Sequence, residues 1–178
     1  MEFQPYPKTP RLFRDIVITE KIDGTNWCIY IWEDWEFMAW SRTRWITPEN
    51  DNFWFAQWAY DNKEDLMKLW VWFHYGEWYG RGIQRSYNLK ERHFALFYVK
   101  NEKPDCCTVV PRIYEWVFNE EKIHEVIETL RTNWSNINEF PNAEWIIIYH
   151  TQSKQVYKVL LEKDNISKTE LWNQNYKK

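Results

Sequence analysis

The chain has 178 residues, 44% of them apolar and 28% charged, which suits one domain with a short tail and excludes general disorder. A net charge of −3 excludes a polyanion binder that is basic on every side, while leaving room for a local basic groove. No run reaches the roughly 20 apolar residues that span a bilayer. The opening MEFQPYPKTPRLFRD carries no apolar secretory core, so the expected compartment is the cytoplasm, without membrane contact. Three cysteines, two of them adjacent as Cys106 and Cys107, and four scattered histidines suit neither a disulfide framework nor a zinc site.

Asp15 to Lys21 alternates and is β-branched, which predicts a strand. Trp27 to Trp32 predicts a second, and Glu36 to Trp40 pairs back across a turn at Asp34-Trp35. Phe53 to Trp72 predicts a helix with Phe55, Trp58, Ala59, Leu66 and Leu69 on one broad face. Strands are expected over Phe73 to Tyr79, Phe94 to Val99 and Val109 to Trp116. Asn119 can cap a helix whose first turn holds Glu120 and Glu121, where negative charge suits the dipole. Ile123, Val126, Ile127 and Leu130 then follow at helical spacing. Two further strands, Trp145 to Tyr149 and Val156 to Leu161, precede a polar tail. The class is α+β, mostly hairpin-connected strands with two substantial helices.

Chemistry is most concentrated in Glu20-Lys21-Ile22-Asp23-Gly24-Thr25-Asn26. A lysine closes a strand, an acid follows two residues on, and a glycine allows a tight turn. A lysine amine is a nucleophile when neutral, a form favoured by burial, nearby cations or a bound metal. Taken alone, the same four residues KIDG also read as a strand followed by a turn. Further along, Ser41-Arg42-Thr43-Arg44 offers forked phosphate contacts. Glu77 sits between Gly76 and Gly80, Phe97 offers a ring for stacking with Phe94 as the fallback, Glu144 precedes a hydrophobic strand, and Lys158 stands inside the last strand.

This ordered series resembles the covalent nucleotidyltransferase superfamily, and within it the ATP-dependent RNA ligase family, whose first motif is matched by Lys21-Ile22-Asp23-Gly24. The likeness runs from Lys21 through Asp164. It implies a nucleotidyltransferase (ATP-grasp-like) fold of antiparallel sheets flanked by helices, with the nucleotide in the groove between them. Residues 1–165 would be the catalytic domain and 166–178 a tail. Lys21 would attack the α-phosphate of ATP and carry AMP. Glu20, Asp23, Gly24 and Asn26 belong to the same nucleotide-binding motif. Glu77 would bind the ribose hydroxyl, Phe97 would stack on adenine, and Lys158 would contact the α-phosphate. Glu144 would help hold a metal-bound water, with Mg²⁺ as the metal. Arg42 would engage phosphate or the RNA end. The implied partner is RNA, as nicked duplex or strand ends, with DNA as the other possibility, and the implied state is a monomer. Arg11, Arg14, Arg42, Arg44, Arg81, Arg85, Lys90 and Arg92 could track a backbone. Two rivals stand beside this reading: a DNA ligase or other nucleotidyltransferase, and a degenerate nucleotide- or RNA-binding module without turnover.

Two departures from the family pattern are visible. The last motif commonly has Lys-x-Lys, and here only Lys158 is present. The fourth is usually Glu-Gly, and here it is Glu144-Trp145. Glycine is also scarce, at 4 residues against 14 tryptophans, where an average chain of this length holds about 12 glycines. Asp34-Trp35 and Asn133-Trp134 would read as strong turn pairs if they were Asp-Gly and Asn-Gly. Trp40, Trp54, Trp70 and Trp72 share the suspicion, whereas Trp45 and Trp78 look natural. The expectation is that some codons rendered here as tryptophan, UGA above all, are glycine in the source. The competing expectation is a genuinely tryptophan-rich or redesigned chain.

Overall fold

The computed structural model describes residues 4–141 and 143–160. β1 (Asp15–Lys21) is the expected strand. β2 (Thr25–Ile31) and β3 (Phe37–Ser41) form the expected hairpin, and a two-residue β4 (Trp45–Ile46) follows. The single helix expected over 53–72 is two short ones, α1 (Phe55–Asp61) and α2 (Lys63–Leu66). Asn62 separates them; its side-chain amide donates to the Trp58 carbonyl at 2.8 Å, an alternative to continuing the helix.

Next come β5 (Trp72–Gly80) and β6 (Arg92–Leu96), the latter ending before Phe97. The strand expected over 109–116 is divided into β7 (Cys107–Val109) and β8 (Arg112–Val117), which belong to different sheets. Pro111 lies between them, with no N–H to give a ladder. α3 (Glu120–Asn133) is capped as expected, Asn119 Oδ1 accepting from the Lys122 N–H at 3.0 Å. β9 (Trp145–His150) and β10 (Gln155–Leu160) complete the set. Leu161 and the expected tail over 166–178 lie outside the described residues. No helix among the described residues is long and apolar enough to cross a membrane.

The described residues fall into two compact units. The first comprises residues up to Lys21, Arg112–Trp134, and those from 143 onward. Its sheet is antiparallel throughout, in the order β10-β9-β1-β8. Alternation sends Ile16 and Ile18 of β1 and Ile146 and Ile148 of β9 to one face, where they bury against Val126, Ile127 and Leu130 of α3. Each such aliphatic side chain contributes roughly 1.5–3 kcal/mol.

The second unit runs from Ile22 to Pro111 and includes Ser135–Pro141. Its sheet has the order β4-β3-β2-β5-β6-β7. The expectation of purely antiparallel sheets is corrected at its edge, because β7 pairs with β6 in parallel. One face carries the main core, with Trp27, Ile29, Trp78, Phe94 and Leu96 packed against Phe55, Ala56 and Ala59 of α1. Trp27 stacks on Phe55 at 5.1 Å. A smaller cluster gathers Ile22, Tyr79, Tyr87, Ala95 and Val110.

Candidate active site

Lys21 is the last residue of β1, directly opposite Trp145 of β9. Lys158 of β10 is opposite Ile147, two residues along β9 from Trp145. The two-residue period therefore puts Lys21, Trp145 and Lys158 on one face of the first unit's sheet, the face turned away from α3. The Lys21 ammonium lies 5.4 Å from the Trp145 ring centroid and the Lys158 ammonium 4.5 Å. Glu144 Oε2 forms an ion pair with Lys21 Nζ at 3.5 Å. That is longer than the ~2.7–2.9 Å of a charge-assisted hydrogen bond. Glu144 Oε2 is buried and accepts no hydrogen bond among the described residues. Glu20 alternates to the opposite face, with Ile16 and Ile18, and is 1% exposed, so the strand does not present it beside Lys21.

The second unit holds the other candidates. Asp23 Oδ2 accepts from Arg85 Nε at 3.0 Å, and the Asp23 N–H donates to the Tyr87 hydroxyl at 2.6 Å. Gly24 passes so close to β5 that a Cβ would sit 2.4 Å from the Trp78 carbonyl oxygen. Only glycine allows that approach. Asn26 is directly opposite Glu77, and Glu77 in turn is opposite Ala95 of β6. All three lie on the face away from α1 and the main core. Glu77 is buried. Phe97 is placed just beyond β6, where its N–H donates to the Tyr75 carbonyl at 2.9 Å. It is 42% exposed, as a stacking platform requires, while the fallback ring Phe94 is sealed in the core. Arg42 is exposed at the β3–β4 turn, where Ser41 Oγ donates to the Arg44 carbonyl, and it makes no ion pair among the described residues.

The RNA ligase family model matches residues 14–159. The chain belongs to the RNA ligase family. Its model is similar to solved structures of the Naegleria gruberi RNA ligase. One mutant solved with ATP and Mn matches with a TM-score of 0.63 at 18% identity, covering 85% of this chain and 52% of that one. A mutant with AMP and Mn gives 0.64 at 20% identity, covering 85% and 52%. The enzyme with pyrophosphate gives 0.63 at 17% identity, covering 92% and 52%. At these identities the likeness establishes a shared fold, a sheet-dominated α+β arrangement with few helices. The chain spans about half the length of these solved chains. No curated protein sequence matches.

Within this RNA ligase domain, sequence reasoning missed Tyr87 and Arg85 as the partners that hold Asp23. Tyr87 is fully buried at a positive φ of 48°. It is further tied by Asn138 Nδ2, which donates to its carbonyl at 2.9 Å. No local pattern marks it, because Asp23 and Tyr87 are 64 residues apart. Arg85, one of the cations that could track a backbone, pairs with Asp23. Arg92, from the same group, donates to the Arg81 carbonyl at 3.1 Å and lies over Trp54.

Chemically, the first unit offers two ammonium groups and a buried carboxylate oxygen that, beyond its 3.5 Å ion pair with Lys21, accepts no hydrogen bond among the described residues. An oxygen of that kind fits a hard divalent cation or its bound water. No cluster of three or more His, Cys, Asp or Glu suited to a metal occurs among the described residues. This is compatible with Mg²⁺, which commonly keeps several waters and takes only one or two protein carboxylates beside substrate phosphates.

Proposed function

We propose that this chain is an ATP-dependent RNA ligase catalytic module, acting through a covalent lysyl-AMP. The observation that carries the reading is that Lys21 and Lys158 share one face of a family-matched sheet, with Glu144 in an ion pair with Lys21. Lys21 Nζ, once deprotonated, forms a P–N bond to the α-phosphorus of ATP as the bond to the bridging oxygen breaks and pyrophosphate leaves. Lys158 offsets negative charge at that phosphate, where preorganised cations lower the barrier. A divalent metal, when bound, supplies further charge stabilisation at the phosphate, and Glu144 Oε2 orients its water. In the second unit, Glu77 accepts from the ribose hydroxyl, with Asn26 beside it, and Phe97 stacks on adenine. Asp23 and Gly24 shape the turn that follows the nucleophile, and Arg42 meets phosphate or the RNA end.

AMP then passes to an RNA 5′-phosphate. Attack by a 3′-hydroxyl seals the strand and releases AMP. The nucleotidyltransferase (ATP-grasp-like) description, residues 1–165 as the catalytic module, a monomeric state and a cytoplasmic setting belong to the same proposal and rest on the family resemblance.

A second reading, a binding module without turnover, is favoured by the Trp145 indole lying against both ammonium groups. Incubation with α-labelled ATP and Mg²⁺ separates the two. The ligase reading expects label on the protein and none on Lys21→Ala. Label on both would remove Lys21 as the nucleophile, and nicked RNA and DNA duplexes then discriminate the substrate sugar.

A further inference from the structure

We propose that residues 35, 54, 134 and 145 are glycine in the protein as its source makes it, their codon being read there as glycine, and that glycine at 145 uncovers Lys21 and Lys158 for a phosphate. The first part is independent of the ligase reading. The second rests on it.

The backbone supplies the first argument. Trp35 has φ 64°, Trp54 φ 57° and Trp134 φ 71°. L-residues with large side chains avoid this region, and glycine enters it freely. Trp134, which ends α3, combines that φ with ψ 175°, a region essentially reserved for glycine. Trp35 closes the β2–β3 hairpin. Its N–H donates to the Trp32 carbonyl at 2.9 Å, and the Trp32 N–H donates to the Glu36 carbonyl at 3.0 Å. That is the three-residue hairpin loop whose left-handed position usually takes glycine. Trp54 stands at the N-cap of α1 and its own side chain makes no capping bond; the first turn is capped instead by the Asp51 carboxylate, which accepts from the Ala56 and Gln57 N–H groups at 2.9 Å.

Burial supplies the second argument. The other aromatic residues at positive φ are more buried: Tyr87 completely, and Phe53, at φ 55°, to 37% exposure. The three tryptophans are 55%, 64% and 51% exposed. They pay for a left-handed backbone and recover little from burial. Trp27 and Trp78 are instead buried in the core, each 2% exposed: Trp78 Nε1 donates to the Phe53 carbonyl at 2.9 Å, and Trp27, whose Nε1 has no hydrogen-bond partner among the described residues, stacks on Phe55 at 5.1 Å. Trp40 stacks on Trp45 at 4.1 Å, Trp70 meets His74 edge-on at 4.5 Å, and Trp72 lies in an ordinary strand, none of the three at positive φ. The assignment therefore stops short of them.

Trp145 stands on different ground. Its indole is the group that Lys21 and Lys158 both face. A ring of that size fills space that a phosphate would need beside the two ammonium groups.

Two measurements test this. The gene is read at the four positions, and peptides of the native protein from its source are identified by mass spectrometry. The expected result is one shared codon at 35, 54, 134 and 145, a different codon at Trp27 and Trp78, and glycine in the four peptides. A codon common to all six, or indole-bearing peptides at the four positions, overturns the proposal. Separately, the chain as written is compared with its variants. Trp35→Gly and Trp134→Gly should each raise the thermal midpoint by about 2–4 °C, and a fall overturns the backbone argument. Trp145→Gly should raise labelling by α-labelled ATP roughly tenfold or more, and equal labelling overturns the site argument. Glycine in the native peptides with no label on any form would uphold the residue assignment and sink the ligase reading.

Discussion

Glu144 Oε2 lies 3.5 Å from Lys21 Nζ and accepts no hydrogen bond among the described residues. In the proposed reaction this oxygen would meet the water of a metal that arrives with substrate. Replacing Glu144 by Gln keeps its shape and removes its charge. Adenylylation should fall about 10–100-fold, as for groups that orient a metal's shell, and rising Mg²⁺ should restore part of it. Single-turnover labelling across a Mg²⁺ series reads this, and a Mg²⁺-independent loss would assign Glu144 to Lys21 alone.

Phe97 is half-exposed and contributes little to the core. Phe97→Ala should leave unfolding stability within about 0.5 kcal/mol. Base stacking on an aromatic ring is worth about 1–3 kcal/mol, roughly 5- to 150-fold in Kd. AMP binding by calorimetry should weaken within that range, together with unchanged urea unfolding.

Gly24→Ala places a methyl 2.4 Å from the Trp78 carbonyl oxygen and 3.0 Å from Glu77 Cγ. The first neighbour is backbone and cannot swing aside. Destabilisation of about 1–3 kcal/mol is expected from such overpacking. Since the clash also presses on Glu77, nucleotide binding should weaken beyond what unfolding explains. Denaturation and AMP binding on the same sample separate the two effects.

His74 is buried, its Nε2 2.6 Å from the Trp70 carbonyl oxygen and its Nδ1 without a hydrogen-bond partner among the described residues. Burial pushes its pKa below the ordinary 6.5. The unfolded chain therefore takes up a proton near that value while the folded chain resists it. The stability involved is complete above pH 6.5 and is lost as pH falls below it, toward the folded pKa. Urea midpoints should drop between about pH 7.5 and about pH 5.5, and the drop should shrink in His74→Phe. An equal drop in both proteins would place the effect elsewhere.

β1 and α3 were legible in the sequence because each carries a complete local signal. Ile16 and Ile18 alternate to a single terminus at Lys21, and Asn119 caps a four-residue apolar stripe. The break at Asn62 was hidden by the apolar face on either side of it. The division between β7 and β8 turns on Pro111, within a stretch whose β-branched content reads as one strand. Lys21 and Glu144 could be named from motif order, and the structure joins them. The contact between Asp23 and Arg85 spans 62 residues, and side-chain partners so far apart leave no periodic trace. Nor does composition reveal that Glu20 faces α3 while Lys21 does not; only the strand's register decides that.

The polypeptide leaves the first unit after Lys21 and returns at Arg112. A ribosome thus delivers Lys21 early, but the strands that hydrogen-bond β1 on either side emerge only after ninety intervening residues, Ile22 to Pro111, have been synthesised. A nascent or prematurely terminated chain carries the amine with no sheet to hold it. The sheet around Lys21 is therefore complete only once translation has passed β9.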